Sequence, residues 1–194
     1  MRSPLPFTTS LGMIEIAPYD AGWPALFEAE AASLREAMGG AALRIEHVGS
    51  TSVPGLAAKP VIDIQVSVAS LASPGAHAET LARSGYRHIP LGPFDLVYPF
   101  FRKPAAHPGT HHLHLCVLGS EQERRHLLFR DYLREHPQVA AEYVELKRRL
   151  AATHHGATLA SCERYSLAKT AFVNSVLERA TVAGHQADRQ STCA

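Results

Sequence analysis

The order of apolar and polar residues predicts an α/β (α+β) protein: a mixed sheet of four to six strands, helices flanking one face, and a three-helix C-terminal extension. Three observations carry that expectation. Val61 to Val68 alternate apolar with polar side chains, so Ile62, Ile64, Val66 and Val68 share one face and Asp63, Gln65 and Ser67 the other. His111 to Leu118 alternate as sharply, with Leu113, Leu115 and Val117 opposite His112, His114 and Cys116. Beyond Ser120 the period becomes helical, as in the stripe Val139, Tyr143, Leu146 and Leu150.

The elements follow in order. Residues 1–13 hold one arginine, two prolines and no continuous apolar run, which reads as a flexible segment and not as a secretory signal. Ile14 to Ile16 suggest a short edge strand. Tyr19-Asp20 and Trp23-Pro24 mark a helix entry, with Pro tolerated in the first turn, and Gly39-Gly40 mark its stop. Leu43 to Val48 and Val61 to Val68 read as strands separated by a Gly-, Ser- and Pro-rich loop. Ser73-Pro74 can cap a helix to about Ser84, which Gly85 ends. Between residues 86 and 110 five prolines break any long element, and Val97 to Lys103 is the best strand there. After the strand at His111 to Leu118, Ser120-Glu121-Gln122-Glu123 has the form of a capping box. His136-Pro137 interrupts the helix so begun, the stripe through Tyr143 forms the next, and a last helix covers about Glu163 to Ala180. Residues 183–194 read as a disordered tail.

With 194 residues, 46% of them hydrophobic, residues 14–182 are enough for one domain with a real core. Nineteen basic against 18 acidic residues give a net charge of +1, so no summed field favours general nucleic-acid binding or an anionic membrane. Three cysteines without C-x-x-C spacing argue for reduced thiols, against a disulfide framework or structural zinc. No stretch reaches the length of a membrane span, and a cytoplasmic location is expected. Oligomeric state is left open by the sequence.

The chemistry concentrates between residues 46 and 66. Gly49-Ser50-Thr51 closes a strand in small, hydroxyl-bearing residues whose backbone N–H groups can approach a phosphate, Lys59 follows, and Asp63 projects from the next strand. An anion cradle, a lysine and a strand-borne carboxylate in this order suit a metal-nucleotide site. The alternatives are a plain tight turn, a solvated lysine and a capping carboxylate. An unpaired Asp63 among isoleucines, however, costs several kcal/mol.

The stretch His47-Val48-Gly49-Ser50-Thr51-Ser52-Val53-Pro54-Gly55-Leu56-Ala57-Ala58-Lys59-Pro60-Val61-Ile62-Asp63-Ile64 closely resembles the signature of the GrpB family, which is grouped with the nucleotidyltransferase-like superfamily. Further matches run through Ala17-Pro18-Tyr19-Asp20, Trp23-Pro24, His112-Leu113-His114-Leu115, Phe129-Arg130-Asp131-Tyr132-Leu133-Arg134, and Tyr165 with Lys169. The resemblance implies a nucleotidyltransferase-like fold and a Gly-Ser pair followed by an Asp-x-Asp or Asp-x-Glu strand that holds Mg²⁺ while a nucleoside triphosphate is attacked. This chain reads Asp63-x-Gln65, a neutral carbonyl where that pattern has an anion. The GrpB-like region also occurs fused to dephospho-CoA kinase, which resembles an accessory role beside a phosphoryl-transfer enzyme.

The expected function is therefore binding of a nucleotide or other phosphorylated small molecule, with Mg²⁺ or Mn²⁺ and with nucleotidyl or phosphoryl transfer as its possible chemistry. Gly49, Ser50 and Thr51 hold phosphate, joined by Arg102 and Lys169. Asp63 binds the metal, Lys59 neutralises transferred charge, and Gln65 orients substrate or a metal-bound water. Two rivals stay open: a non-catalytic ligand-sensing or accessory module, and a metal-dependent hydrolase using Asp63, His112 and His114. The period of two puts both imidazoles on one strand face, where they either ligate or hydrogen-bond to a covering helix. His47 can join that cluster or donate to Asp63.

Overall fold

The computed structural model describes residues 14–71, 74–104, 109–154 and 159–185. Five strands form one sheet: β1 (Arg44–Val48), β2 (Ile62–Val68), β3 (Arg87–His88), β4 (Phe100–Lys103) and β5 (His111–Val117). Their order is β1-β2-β5-β4-β3, with β2 and β5 parallel and every other pair antiparallel. The two sharply alternating strands are thus central neighbours, in a register that sets Asp63 beside His112 and Gln65 beside His114. The sheet is mixed, as expected.

One face is dry. Ile62, Ile64, Val66, Val68, Leu113, Leu115 and Phe101 meet Trp23, Phe27, Ala31, Leu34 and Met38 of α1 (Trp23–Met38) and Leu81 of α2 (Pro74–Arg83). The α1 residues recur every three or four positions, so they form one stripe, and each fully buried large side chain contributes about 1.5–3 kcal/mol. Gly39, with φ of +52°, ends the helix where the sequence marks its stop.

The opposite face carries Asp63, Gln65, Ser67, His112 and His114, and α3 (Glu121–Glu135) lies over part of it. Helices therefore flank both faces and not one. Polar pairs dock α3. Ser120 caps it by accepting the Glu123 N–H at 3.3 Å, and the buried Glu123 carboxylate accepts from Gly119 N–H at 2.6 Å and from the Ser67 hydroxyl at 2.5 Å. The capping box is thus only half local, because its glutamate reaches back one residue further and across to β2. Arg130 donates to Glu46 at 2.7 Å and to the His47 carbonyl at 3.1 Å.

Three helices complete the extension: α4 (Pro137–Thr153), α5 (Leu159–Leu167) and α6 (Thr170–Val182). The single helix expected over Glu163 to Ala180 is broken at Ala168-Lys169, where no Gly or Pro announces a break, so the extension has four helices, not three. Tyr132, Leu133, Val139, Tyr143, Val176 and Ala180 from these helices enclose Val53 and Leu56 of the β1–β2 loop. Arg134 fixes the same loop by donating to the Ser52 carbonyl at 2.7 and 3.1 Å. The extension is therefore the backing of the loop that bears the Gly-Ser bend.

Other boundaries differ locally. Ile14 to Ile16 make no strand; a single antiparallel bridge joins Ala17 to Ala58, and Ile14 is buried against Ala151 and Tyr165. The strand expected over Val97 to Lys103 starts at Phe100, after a 3₁₀ turn at Gly92–Leu96, and pairs with the two-residue edge strand β3. Residues 1–13, Ser73 and residues 186–194 lie outside the described residues. Among the described residues no helix is long and apolar enough to cross a membrane.

Glu123→Ala should cost about 3 kcal/mol, because it strands the Gly119 N–H and the Ser67 hydroxyl and removes the carboxylate 3.7 Å from Arg44. Urea unfolding measures this. A loss under about 1 kcal/mol would mean that α3 docks by apolar packing alone.

Candidate functional site

The site begins at Gly49. Its φ of +69° is a conformation that side chains resist, and it throws the chain off β1 into the 3₁₀ turn Ser50–Ser52. A Cβ built on Gly49 would fall onto Asp63 Oδ2 and within 2.9 Å of the Asp63 Cβ and Cγ. The antiparallel pair Val48–Asp63 sets this approach, so the bend and the carboxylate lie directly against each other.

Asp63 Oδ1 accepts a hydrogen bond from His112 Nδ1 at 3.2 Å. Burial works to raise the carboxyl, yet the His112 hydrogen bond, the neighbouring imidazoles and Lys59 outweigh it and hold Asp63 below its ordinary value. The carboxylate is an anion at neutral pH. Because it can only accept, His112 carries its proton on Nδ1, which leaves Nε2 for another partner. Arg102 continues the same cross-strand row, paired with His112 in register and buried.

On the other side of the bend stands a lysine that local sequence reasoning passed over. Lys147, on α4 and 2% exposed, donates to Ser50 Oγ at 3.1 Å and to the Ala57 carbonyl at 2.5 Å, with its Nζ 4.7 Å from the Tyr143 ring centroid. Burial lowers its pKa to about 7, the Lys169 charge adds to the fall, and Asp63 opposes it. Lys169 Nζ lies 4.4 Å from the centroid of Tyr165. The Tyr165 hydroxyl, on a residue only 4% exposed and raised to about 12 by burial, finds no hydrogen-bond partner among the described residues. Lys59 acts on Asp63, and Asp63 and Lys169 both act on Lys147, so these charges lie within electrostatic reach of the bend.

Four expected participants stand elsewhere. The buried Thr51 hydroxyl donates to the Val61 carbonyl at 3.1 Å, so it braces the loop and is not offered to a phosphate. His47 lies on the dry face, stacked on Phe27 at 4.7 Å with Nε2 3.0 Å from Thr51 Oγ1; burial lowers its pKa to about 4, and it makes no bond to Asp63. Gln65 is entirely enclosed, with Oε1 3.5 Å from the Tyr98 hydroxyl, too deep to orient a substrate. His114 belongs to an aromatic stack, 4.6 Å from Tyr98 and 4.9 Å from Phe100, and burial next to His126 pushes it down to about 3. Among the described residues, the donor atoms of Asp63, His112 and His114 do not converge as a metal triad. That removes the geometric basis of the hydrolase alternative.

Comparison with known proteins agrees with this architecture. A family model described as GrpB protein matches residues 13–179. This chain belongs to the GrpB family. A crystal structure of the conserved protein GrpB from Enterococcus faecalis superposes with a TM-score of 0.74 at 35% identity, covering 88% of this chain and 99% of that one. UPF0157 protein YqkA of Bacillus subtilis is 38% identical over 141 residues, 73% of this chain but 40% of that protein. A dephospho-CoA kinase of Mycolicibacterium paratuberculosis is 35% identical over 158 residues, and this chain spans 39% of its length. The shared region is thus less than half of either of those two relatives.

In this GrpB-family chain Lys147 left a trace in the sequence. It falls four residues after Tyr143 and four before Ala151, within the buried stripe of α4, where a lysine is out of place unless something compensates it. What compensates it is Ser50, ninety-seven residues earlier, which no local pattern reveals.

Gly49→Ala should destabilise the fold by at least about 2 kcal/mol, one part from the positive φ and another from the displaced Asp63. Adding Asp63→Gly to it should recover the second part and leave the first. A double-mutant cycle of denaturant midpoints reads this, and strict additivity of the two changes would disprove the contact.

Proposed function

We propose that this chain binds the phosphate group of a nucleotide or other phosphorylated metabolite at the Gly49-Ser50 bend, together with a divalent cation, Mg²⁺ or Mn²⁺, on Asp63. The observation that carries the reading is the convergence of opposite charges on one bend: Asp63 against Gly49 on one side, Lys147 on Ser50 Oγ on the other. A glycine with positive φ exposes backbone that a phosphate oxygen can approach, Lys59, Lys147 and Lys169 supply positive charge, and the unpartnered Tyr165 hydroxyl supplies a donor. The likeness to proteins named dephospho-CoA kinase supports the same ligand class.

The donor set suits a cation that keeps most of its water. Asp63 offers one carboxylate, held in place by the His112 Nδ1–H, while phosphate oxygens and water would complete the shell, as Mg²⁺ prefers. Bound there, the ion would offset phosphate charge. Nucleotidyl or phosphoryl transfer ordinarily takes a second anionic ligand, and the enclosed Gln65 supplies none. That favours the ligand-sensing or accessory form of the same site over an independent transferase.

Asp63→Asn should abolish the Mg²⁺-dependent stabilisation by whichever member of a panel of nucleoside triphosphates, CoA precursors and sugar phosphates raises the melting temperature. Calorimetry with the same ligand is the check, and unchanged Mg²⁺-dependent binding would remove Asp63 from the site. For wild type, a ligand at 100 times its Kd stabilises by about 2.7 kcal/mol, a readable shift.

Lys147→Met should weaken phosphate-ligand binding about tenfold or more below pH 7, where the amine is charged. That advantage of wild type shrinks as pH rises through about 7 and the ammonium gives up its proton. Stability moves the other way. The folded value lies below the ordinary 10.5, so between about 7 and 10.5 the unfolded chain holds a proton that the folded one lacks, and stability rises with pH. The Met variant should lack that rise, and a pH series of titrations and melts decides both.

A further inference from the structure

Well away from Asp63 in sequence, the junction of α3 and α4 meets the end of α6, and three ligating side chains converge there. Glu135, His136 and His185 present donor atoms that all lie within 4.8 Å of one another. From these we infer a second cation site, for a transition-metal ion of the Zn²⁺ class, which fastens the end of α6 to the α3–α4 junction.

The two imidazoles are each placed by a separate local cause. His136 occupies the break forced by Pro137, being at once the C-cap of α3 and the N-cap of α4. Its ring stacks on Tyr132 at 3.8 Å, and its Nδ1 lies 2.9 Å from the Tyr132 carbonyl. A carbonyl only accepts, so Nδ1 carries the proton and the Nε2 lone pair is presented outward. This is the backbone anchoring that fixes the tautomer of metal-bound imidazoles. His185 is brought in by the turn at Gly184, whose φ is +75°, and by its own N–H bonded to the Ala180 carbonyl at 3.0 Å. Its ring meets His136 edge-on at 5.2 Å and Tyr132 at 5.1 Å, and its Nδ1 stands 3.3 Å from Glu135 Oε2.

Two imidazoles and one carboxylate select the metal. Such a set suits Zn²⁺ and its Irving–Williams neighbours, whereas Mg²⁺ and Ca²⁺ demand oxygen ligands. With metal–ligand bonds near 2.0–2.2 Å, tetrahedral donors sit about 3.4 Å apart. The Glu135–His185 pair already has that spacing, and rotation of the half-exposed Glu135 and His185 side chains can bring the rest of the set together. Three protein ligands leave a fourth position for water. The helices joined in this way are those that enclose Val53 and Leu56, so the ion would stiffen the backing of the β1–β2 loop.

The test is titration of the full chain with ZnCl₂ alone, by calorimetry and by thermal unfolding, with MgCl₂ in parallel. Wild type and Asp63→Asn should each bind one zinc equivalent with a rise in melting temperature that MgCl₂ does not reproduce. His185→Ala and Glu135→Gln, both at solvent-accessible side chains and so expected to fold, should each weaken zinc at least tenfold and lose the shift. Zinc held equally by these variants and wild type, no zinc bound by wild type, or binding lost in Asp63→Asn would each overturn the site. Retention in Asp63→Asn also keeps this result separate from the phosphate-site reading.

Discussion

An absent side chain decides where this protein keeps its charge. Because Gly49 has no Cβ, the backbone leaving β1 turns directly against the Asp63 carboxylate, in space that any other residue would fill. Asp63, which the alternation of β2 already sets opposite its isoleucines, thereby gains a wall of main chain on one side, with His112 on the other. The same bend sends Ser50 toward α4, where Lys147 donates to its hydroxyl. An acid and a base thus face a single turn of backbone, and the positive φ of Gly49 is what allows both.

The polar face of the sheet works on two levels. Near the bend the Asp63 carboxylate stays ionised and partly accessible. Deeper, under α3, charge is either neutralised or paired: His114 stays neutral within its aromatic stack, and Glu123 and Arg130 bind α3 to β1 and β2. Isolated charges there would cost several kcal/mol each, so the buried ones come with complementary donors and acceptors. This division explains why Asp63 and Gln65, two residues apart on one strand face, have such different access. Tyr98, stacked on His126 of α3, lies over Gln65.

Much of the architecture was legible in short-range pattern. The alternation in β2 and β5, the glycine stop of α1, the His136-Pro137 break and the serine cap of α3 are effects of neighbours within a turn or two. The split between α5 and α6 was not, since no breaker residue marks Ala168-Lys169, and the two-residue β3 is too short to show any period. In the site, Gly49, Ser50, Asp63 and His112 were legible because they lie at the ends or on the polar phase of strands. Gln65 and His114 were misjudged because a residue's face can be read from its parity but its depth cannot, Thr51 because a turn has no parity to read, and His47 because it shares the phase of Ile45 on the dry face.

By itself, the sequence determined which residues alternate, where helices start and stop, and that a glycine-serine bend precedes a lone strand carboxylate, because backbone conformation and periodicity act over a few residues. Tertiary structure alone decided that Tyr98 lies over Gln65 and, with His126 of α3, stacks on His114, that Lys147 reaches Ser50 across ninety-six intervening residues, and that the end of α6 returns to His136. Those outcomes follow from how apolar surfaces far apart in the chain bury one another, as Val53 and Leu56 do between Tyr132, Tyr143 and Val176. Such packing is the sum of many weak, non-directional contacts, which leaves no trace in the period of any one segment.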